Sequence, residues 1–230
     1  MNLAAISRAG GVSDGEWVAH SRHSRFASSP ASNGMIDASS QRLAACVTAM
    51  REALPQDSII CNGAGNFSGW WHRYWRYAGY PSQLAPTAGA MGYGVPASVA
   101  AALRYPDRTV VAVAGDGDFL MNGQELATAA QYDLNLLVLV VDNGAYGTIR
   151  MHQEREYPAR VSGTQLANPD FATLGKSFGG WSAAVSTTDE FVAALNEARE
   201  RKGLRLIHMK IDVEQLAASG ATVSGLRAKA

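Results

Sequence analysis

The chain has 230 residues, 47% hydrophobic and 17% charged, which is enough for one well-buried domain with a short remainder. Its 20 basic and 20 acidic residues cancel, so it carries no electrostatic footprint for nucleic acid or an anionic membrane. Cys46 and Cys61 form neither a disulfide framework nor a zinc spacing and read as thiols of a reducing, cytoplasmic compartment; no apolar run approaches the roughly 18 residues of a membrane span.

Residues 1–40 are rich in Ser, Gly and Arg and lack a sustained apolar period. Asp14, Glu16 and Asp37 argue against a transit peptide, which is poor in acids. This segment is read as unstructured or as the remnant of a truncated gene. From Gln41 helices and strands alternate. Leu43, Val47 and Met50 to Leu54 suit one helix face, stopped at Pro55. Ser58 to Cys61 reads as a strand closed by the Asn62-Gly63 turn, followed by an aromatic stretch from Phe67 to Tyr77. Gly92 to Leu103 reads as a helix with Pro96 near its first turn.

The clearest unit follows. Thr109 to Ala114 is a buried strand, Gly115-Asp116-Gly117 a turn, Asp118 to Tyr132 a helix and Leu136 to Val141 a second buried strand. Continuous apolar strands are those of a parallel sheet covered by helices on both faces. Phe171 to Phe178 and Thr188 to Arg201 read as amphipathic helices and Leu204 to Ile211 as a further strand. The fold expected is an α/β doubly wound parallel sheet in one domain over 41–212, with 213–230 as a C-terminal tail.

In such a sheet ligands sit beyond the carboxyl ends of the strands. Two strands here end in Gly115-Asp116-Gly117 and Asp142-Asn143-Gly144. Glycines opening a helix let the backbone approach a ligand, and the free N–H groups favour an anion, a phosphate above all. A carboxylate beside a phosphate repels it unless a cation intervenes, so Asp116 implies a metal. The oxygen donors of Asp116 and Asn143 suit a hard ion such as Mg²⁺ rather than zinc. A nicotinamide-binding reading needs Gly-x-Gly-x-x-Gly, and Gly115-Asp116-Gly117-Asp118-Phe119-Leu120 lacks the third glycine.

Gly115-Asp116-Gly117, followed after about 25 residues by Asn143, resembles the diphosphate-binding motif of thiamine-diphosphate enzymes. The resemblance extends to Gly89-Ala90-Met91-Gly92-Tyr93-Gly94 and Gln124-Glu125-Leu126, in the manner of the C-terminal cofactor domain of acetolactate synthases and 2-oxoacid decarboxylases. It implies thiamine diphosphate and Mg²⁺ as cofactors and a small 2-oxoacid as substrate. Asp116, Asn143 and the Ala145 carbonyl would hold the metal; Gly117 and Asp118 would present N–H groups to the diphosphate, within the stretches Gly115–Asp118 and Asn143–Gly147 that also include Tyr146. The Gly89 carbonyl, beside Ala90, would accept from the aminopyrimidine, and Met91 would bend the cofactor; on its own Met91 reads as core packing.

The activating glutamate expected in this family has no counterpart in matching context here. It would come from a pyrimidine-binding domain, either from a missing N-terminal part or in trans within a homo- or hetero-oligomer, and the chain alone is expected to bind cofactor without turnover. Glu125 is read as an interface or solvent-facing residue, and Glu154 and Glu156 as solvated in a polar loop. His152 occupies the place where acetolactate synthases usually carry a tryptophan, which weakens acetohydroxyacid formation, and the loop Asn143 to Arg150 also resembles that of benzoylformate decarboxylase. His152 and His72 are the weak candidates for catalysis, set against solvated or packing roles. A non-catalytic cofactor-binding or interaction module is the alternative of a different class.

Overall fold

The computed structural model describes residues 43–229; the reading of residues 1–40 falls outside them. Six strands form one all-parallel sheet: β1 (Ile59–Asn62), β2 (Gln83–Leu84), β3 (Val110–Gly115), β4 (Leu136–Asp142), β5 (Trp181–Val185) and β6 (Leu204–Lys210). Their spatial order is β2-β1-β3-β4-β6-β5. The expected α/β architecture is therefore present.

Successive side chains point to opposite faces of a strand, and both faces here are dry. Ile60, Val111, Val113, Leu137, Leu139, Ile207 and Met209 face one core, shared with helices α1 (Leu43–Ala53), α2 (Ser68–Tyr74) and α8 (Thr188–Arg199). Ile59, Cys61, Ala112, Ala114, Val138, Val140 and Leu206 face the other, under α3 (Gly94–Arg104), α4 (Asp116–Asn122), α5 (Leu126–Gln131) and α7 (Phe171–Ser177). This two-sided burial explains why β3 and β4 read as unbroken apolar runs. It also fixes local ends. Thr187 and Glu190 form a reciprocal capping box on α8, and the Asp170 carboxylate caps α7 through the Ala172 and Thr173 N–H groups at 2.9 and 3.1 Å.

Three local expectations change. The helix after β3 begins at Asp116, not Asp118, and it is broken by a 3-10 turn at Gly123–Glu125 before α5 resumes. Gly123 lies against the Phe119 ring, one carbon of which would stand 2.5 Å from an added Cβ. The stretch after Tyr146 is a helix, α6 (Gly147–Glu156), rather than a polar loop. Glu154 on it is 1% exposed, not solvated: it binds Arg150 at 2.7 Å and Arg227 at 2.8 Å and accepts from the Ala159 N–H. Periodicity misses α6 because the face it buries is ionic, with Arg150 and Glu154 in place of apolar residues. Arg227 belongs to α9 (Val223–Arg227), which this ion cluster ties to α6.

Candidate functional site

A cleft of ≈ 80 Å³ opens at the carboxyl ends of the strands. Its walls come from the segments after β1 (Ala64 to Phe67), after β3 (Gly115 to Asp118), after β4 (Asn143 to Ile149) and after β6 (Ile211 to Leu216). It lies at the point where the strand order reverses, with β2 to one side of β1 and β3 to the other. The segment beyond residue 212, expected as a tail, thus contributes Gln215 and Leu216 to the wall.

The structure brings most of the expected site residues together. Gly115, Asp116, Gly117 and Asp118 meet Asn143, Ala145, Tyr146 and Gly147 across the cleft, with Met91 on its rim. They converge because β3 and β4 are neighbours in register, Gly115 beside Val141, so the two following loops start level. Gly144 turns with φ +66°, which fits the Asn-Gly signal, and the Asn143 Oδ1 accepts from the Ala145 N–H at 3.1 Å. Gly117 leaves room that the Tyr146 ring fills, 2.5 Å from where a Cβ would stand. Gly89 and Ala90 are exposed and do not line the cleft. Neither do the two histidines: His72 reaches only Asn62, at 3.4 Å, and exposed His152 contacts Arg155 at 2.6 Å.

Electrostatics single out three carboxyls. Asp116 is 4% exposed; its Oδ1 accepts from the Gly117 N–H at 2.9 Å and its Oδ2 from the Asn168 amide at 2.8 Å. Burial raises its pKa, and the nearby charge of Asp142 raises it further against those two donors. Burial also opposes ionisation of Asp142, but hydrogen bonds from His208, Gly144 and Asn168 outweigh it and hold that carboxyl low. An acid destabilised by burial and by a neighbouring anion is a place where a cation is welcome. No cluster of three or more His, Cys, Asp or Glu side chains fit for a metal occurs among the described residues, so an ion here would draw on amide and backbone oxygens beside Asp116. Asn143 and Ala145 supply both at the same cleft. The donor set fits Mg²⁺.

Asp118 has a second task that its sequence context does not reveal. It is 3% exposed, and the Gly92 N–H donates to its Oδ1 at 2.7 Å. The Gly115 and Ala64 N–H groups also draw on the carboxylate electrostatically, while its Oδ2 is buried without a hydrogen-bond partner. Its carboxylate occupies the space beside Gly63, where an added Cβ would stand only 1.9 Å from Oδ2. Three loops are thus gathered on one side chain: those after β1, before α3 and after β3. Burial pushes its pKa up to about 6, with the three N–H groups pulling the other way. Sequence reading also missed half-buried Asn168 and buried His208, partners of the carboxyls; a lone Asn and a lone strand His carry no pattern.

Residues 63–209 match the family described as thiamine pyrophosphate enzyme, C-terminal TPP binding domain. The chain belongs to this family. It is 33% identical over 160 residues to the acetolactate synthase isozyme 2 large subunit of Escherichia coli, covering 69% of this chain and 29% of that protein. It is 34% identical over 170 residues to 3D-(3,5/4)-trihydroxycyclohexane-1,2-dione hydrolase of Bacillus subtilis, covering 70% and 26% respectively. Among solved structures it is similar to the thiamine diphosphate-dependent 4-hydroxybenzoylformate decarboxylase of Rhodococcus jostii RHA1, with TM-score 0.71 and 27% identity over 78% of this chain and 34% of that one. Benzoylformate decarboxylase from Polynucleobacter necessarius gives 0.70 and 27%, over 75% and 33%. The chain therefore spans under a third of the length of those two curated relatives. The cleft just described lies at the strand-end position common to ligand sites in such sheets. No helix among the described residues is long and apolar enough to cross a membrane.

Proposed function

We propose that this chain binds thiamine diphosphate through Mg²⁺ and supplies the diphosphate half of an enzyme that cleaves, and in its carboligase form joins, the bond beside a 2-oxoacid carbonyl. One observation carries the reading: the buried, cation-seeking Asp116 carboxyl opens α4 and shares a cleft with Asn143 and Ala145. In it, Asp116, the Asn143 side chain and the Ala145 carbonyl would hold Mg²⁺, and the N–H groups of Asp118 and of Gly117, the latter shared with the Asp116 Oδ1, would face the diphosphate. Met91, Tyr146 and Gly147, which line the cleft, would pack against the cofactor, while Gly89 and Ala90 stand exposed outside it and would reach the cofactor only beyond the cleft. Bound there, the cofactor supplies an electron sink for the carbanion left by decarboxylation.

The chain's own contribution is position and charge: it neutralises the diphosphate, fixes the cofactor's tail and leaves its reacting face to a second surface. A cleft of ≈ 80 Å³ falls well under the roughly 300 Å³ of a pocket that encloses a small ligand, which supports a site completed by another domain. We infer a pyrimidine-binding domain bearing the activating glutamate, joined in an oligomer or in a longer polypeptide, and a cytoplasmic setting that keeps thiols such as Cys61 reduced.

The direct test is calorimetric titration of the purified chain with thiamine diphosphate, with and without Mg²⁺. Binding that requires Mg²⁺ and disappears in Asp116→Ala is expected. Binding indifferent to both would remove the proposal. A second reading, a decarboxylase of aryl 2-oxoacids, draws support from the Phe67, Trp70, Ile149 and Leu216 wall of the cleft. With the partner domain present, faster turnover of benzoylformate than of pyruvate is its expected signature; the opposite order favours acetolactate-type chemistry.

A further inference from the structure

We infer that Asn168 and His208 are positioning residues for the metal-holding carboxylate: a partly buried hydrogen-bonded chain orients Asp116 for the cation and occupies Asp142 with other donors. The inference rests on the Mg²⁺ reading above, and it concerns residues outside the cleft.

The chain links four side chains from separate parts of the fold. His208, on β6 and 1% exposed, contacts the Asp142 Oδ2 through its Nε2 at 2.7 Å. The Asp142 Oδ1 in turn accepts from the Asn168 Nδ2 at 2.8 Å, and the same nitrogen lies 2.8 Å from the Asp116 Oδ2. Asn168 sits between α6 and α7, in neither of the strand-end loops that bear the carboxylates. Its orientation is dictated by chemistry. An ionised carboxylate only accepts, so the amide has to turn its two N–H bonds to Asp116 and Asp142, leaving its own Oδ1 buried without a partner. The same reasoning assigns the proton on His208 to Nε2, and the ring is held by edge-to-face contact with Phe171 at 5.1 Å.

Counting lone pairs shows what the chain accomplishes. Asp142 is the nearer rival for a cation, standing immediately before Asn143. It accepts from Gly144 and Asn168 at Oδ1 and from His208 at Oδ2, so Oδ1 is filled and a single site remains on Oδ2. Asp116 accepts one bond on each oxygen, from Gly117 and Asn168, which leaves each oxygen a further lone pair. Two carboxyls this close repel unless something divides them. Asn168 donates to both, beside their own direct side-chain hydrogen bond, and its amide also sets the rotation of the Asp116 carboxylate. Outer partners of this kind typically change metal affinity by about 10–100-fold.

The experiment is an Mg²⁺ titration of the full chain at fixed thiamine diphosphate, read by tryptophan fluorescence, since Trp70 lines the cleft. Four proteins are compared: wild type, Asn168→Ala, His208→Leu and His208→Gln. The expected result is a half-saturating Mg²⁺ concentration raised about 10-fold or more in Asn168→Ala, and raised several-fold in His208→Leu. His208→Gln should return close to wild type, because its amide N–H reaches the place of Nε2. Cofactor affinity at saturating Mg²⁺ should be unchanged throughout. A merely structural role would instead lower the melting temperature and weaken binding at every Mg²⁺ level. Coincident Mg²⁺ curves for wild type, Asn168→Ala and His208→Leu would overturn the inference while leaving the cofactor reading intact. Absence of Mg²⁺-dependent binding in wild type would remove both. If Asn168→Ala does not fold, the His208 pair decides alone.

Discussion

Replacing Gly63 by alanine should be among the most damaging small substitutions in the chain, for a reason located in another residue. The added Cβ would stand 1.9 and 2.1 Å from the Asp118 carboxylate oxygens and 2.3 Å from its Cγ, so side chain and methyl cannot coexist. Asp118 has to leave, which strips the Gly92 N–H of its 2.7 Å acceptor. A buried donor left unpaired costs about 1–3 kcal/mol, and residual overpacking about 1–3 kcal/mol more. Gly63→Ala should therefore lose roughly 2–6 kcal/mol. Asp118→Ala should lose only about 1–3 kcal/mol, because it creates space instead of conflict. The decisive measurement is a double-mutant cycle by urea unfolding. In the Asp118→Ala background the alanine at position 63 enters vacated space, so the double variant should be about as stable as Asp118→Ala. Additive losses, within about 0.5 kcal/mol, would refute the three-loop tie.

Other expectations follow from the same geometry. Asp118, with its pKa raised from 3.8 to about 6, holds its proton more tightly folded than unfolded; Asp116 shifts in the same direction. Their contribution to stability is thus fully present below about pH 4 and is lost as pH rises through about 6. Asp116→Asn should flatten that fall and stabilise the cofactor-free chain at pH 8 while abolishing Mg²⁺-dependent binding; a steeper fall in thermal melts would contradict this. Glu154 behaves oppositely. Arg227, with Arg150 and the Ala159 N–H, outweighs burial and lowers its pKa to about 2, so its stabilisation is present above about pH 4.5 and lost as pH falls toward 2. Glu154→Ala leaves Arg150 buried without its anion and should cost about 3–5 kcal/mol in urea unfolding. His152→Ala, on an exposed helix face outside the cleft, should leave cofactor affinity within about 2-fold of wild type by calorimetry.

The sequence by itself determined the sheet's central strands and the two loops that bear Asp116 and Asn143, because those signals are local. An apolar run of strand length records two-sided burial, and a glycine-flanked acid at a strand end records a backbone that must approach an anion. Strand adjacency brought the two loops together, since β3 and β4 in register place Asp116 level with Asp142, one residue before Asn143. Only the tertiary structure decided which polar groups hydrogen-bond the carboxyls of that site. Asn168 and His208 lie 52 and 92 residues beyond Asp116 in the chain, and nothing local in either position indicates an acid partner. Glu154 reads as solvent-exposed by composition and becomes the least exposed acid of α6 because two arginines, one of them 73 residues away, neutralise it. Hydrophobic burial leaves a period that neighbours along the chain reveal. Charge pairing across the fold leaves none, since its energy depends on a distance that only folding creates.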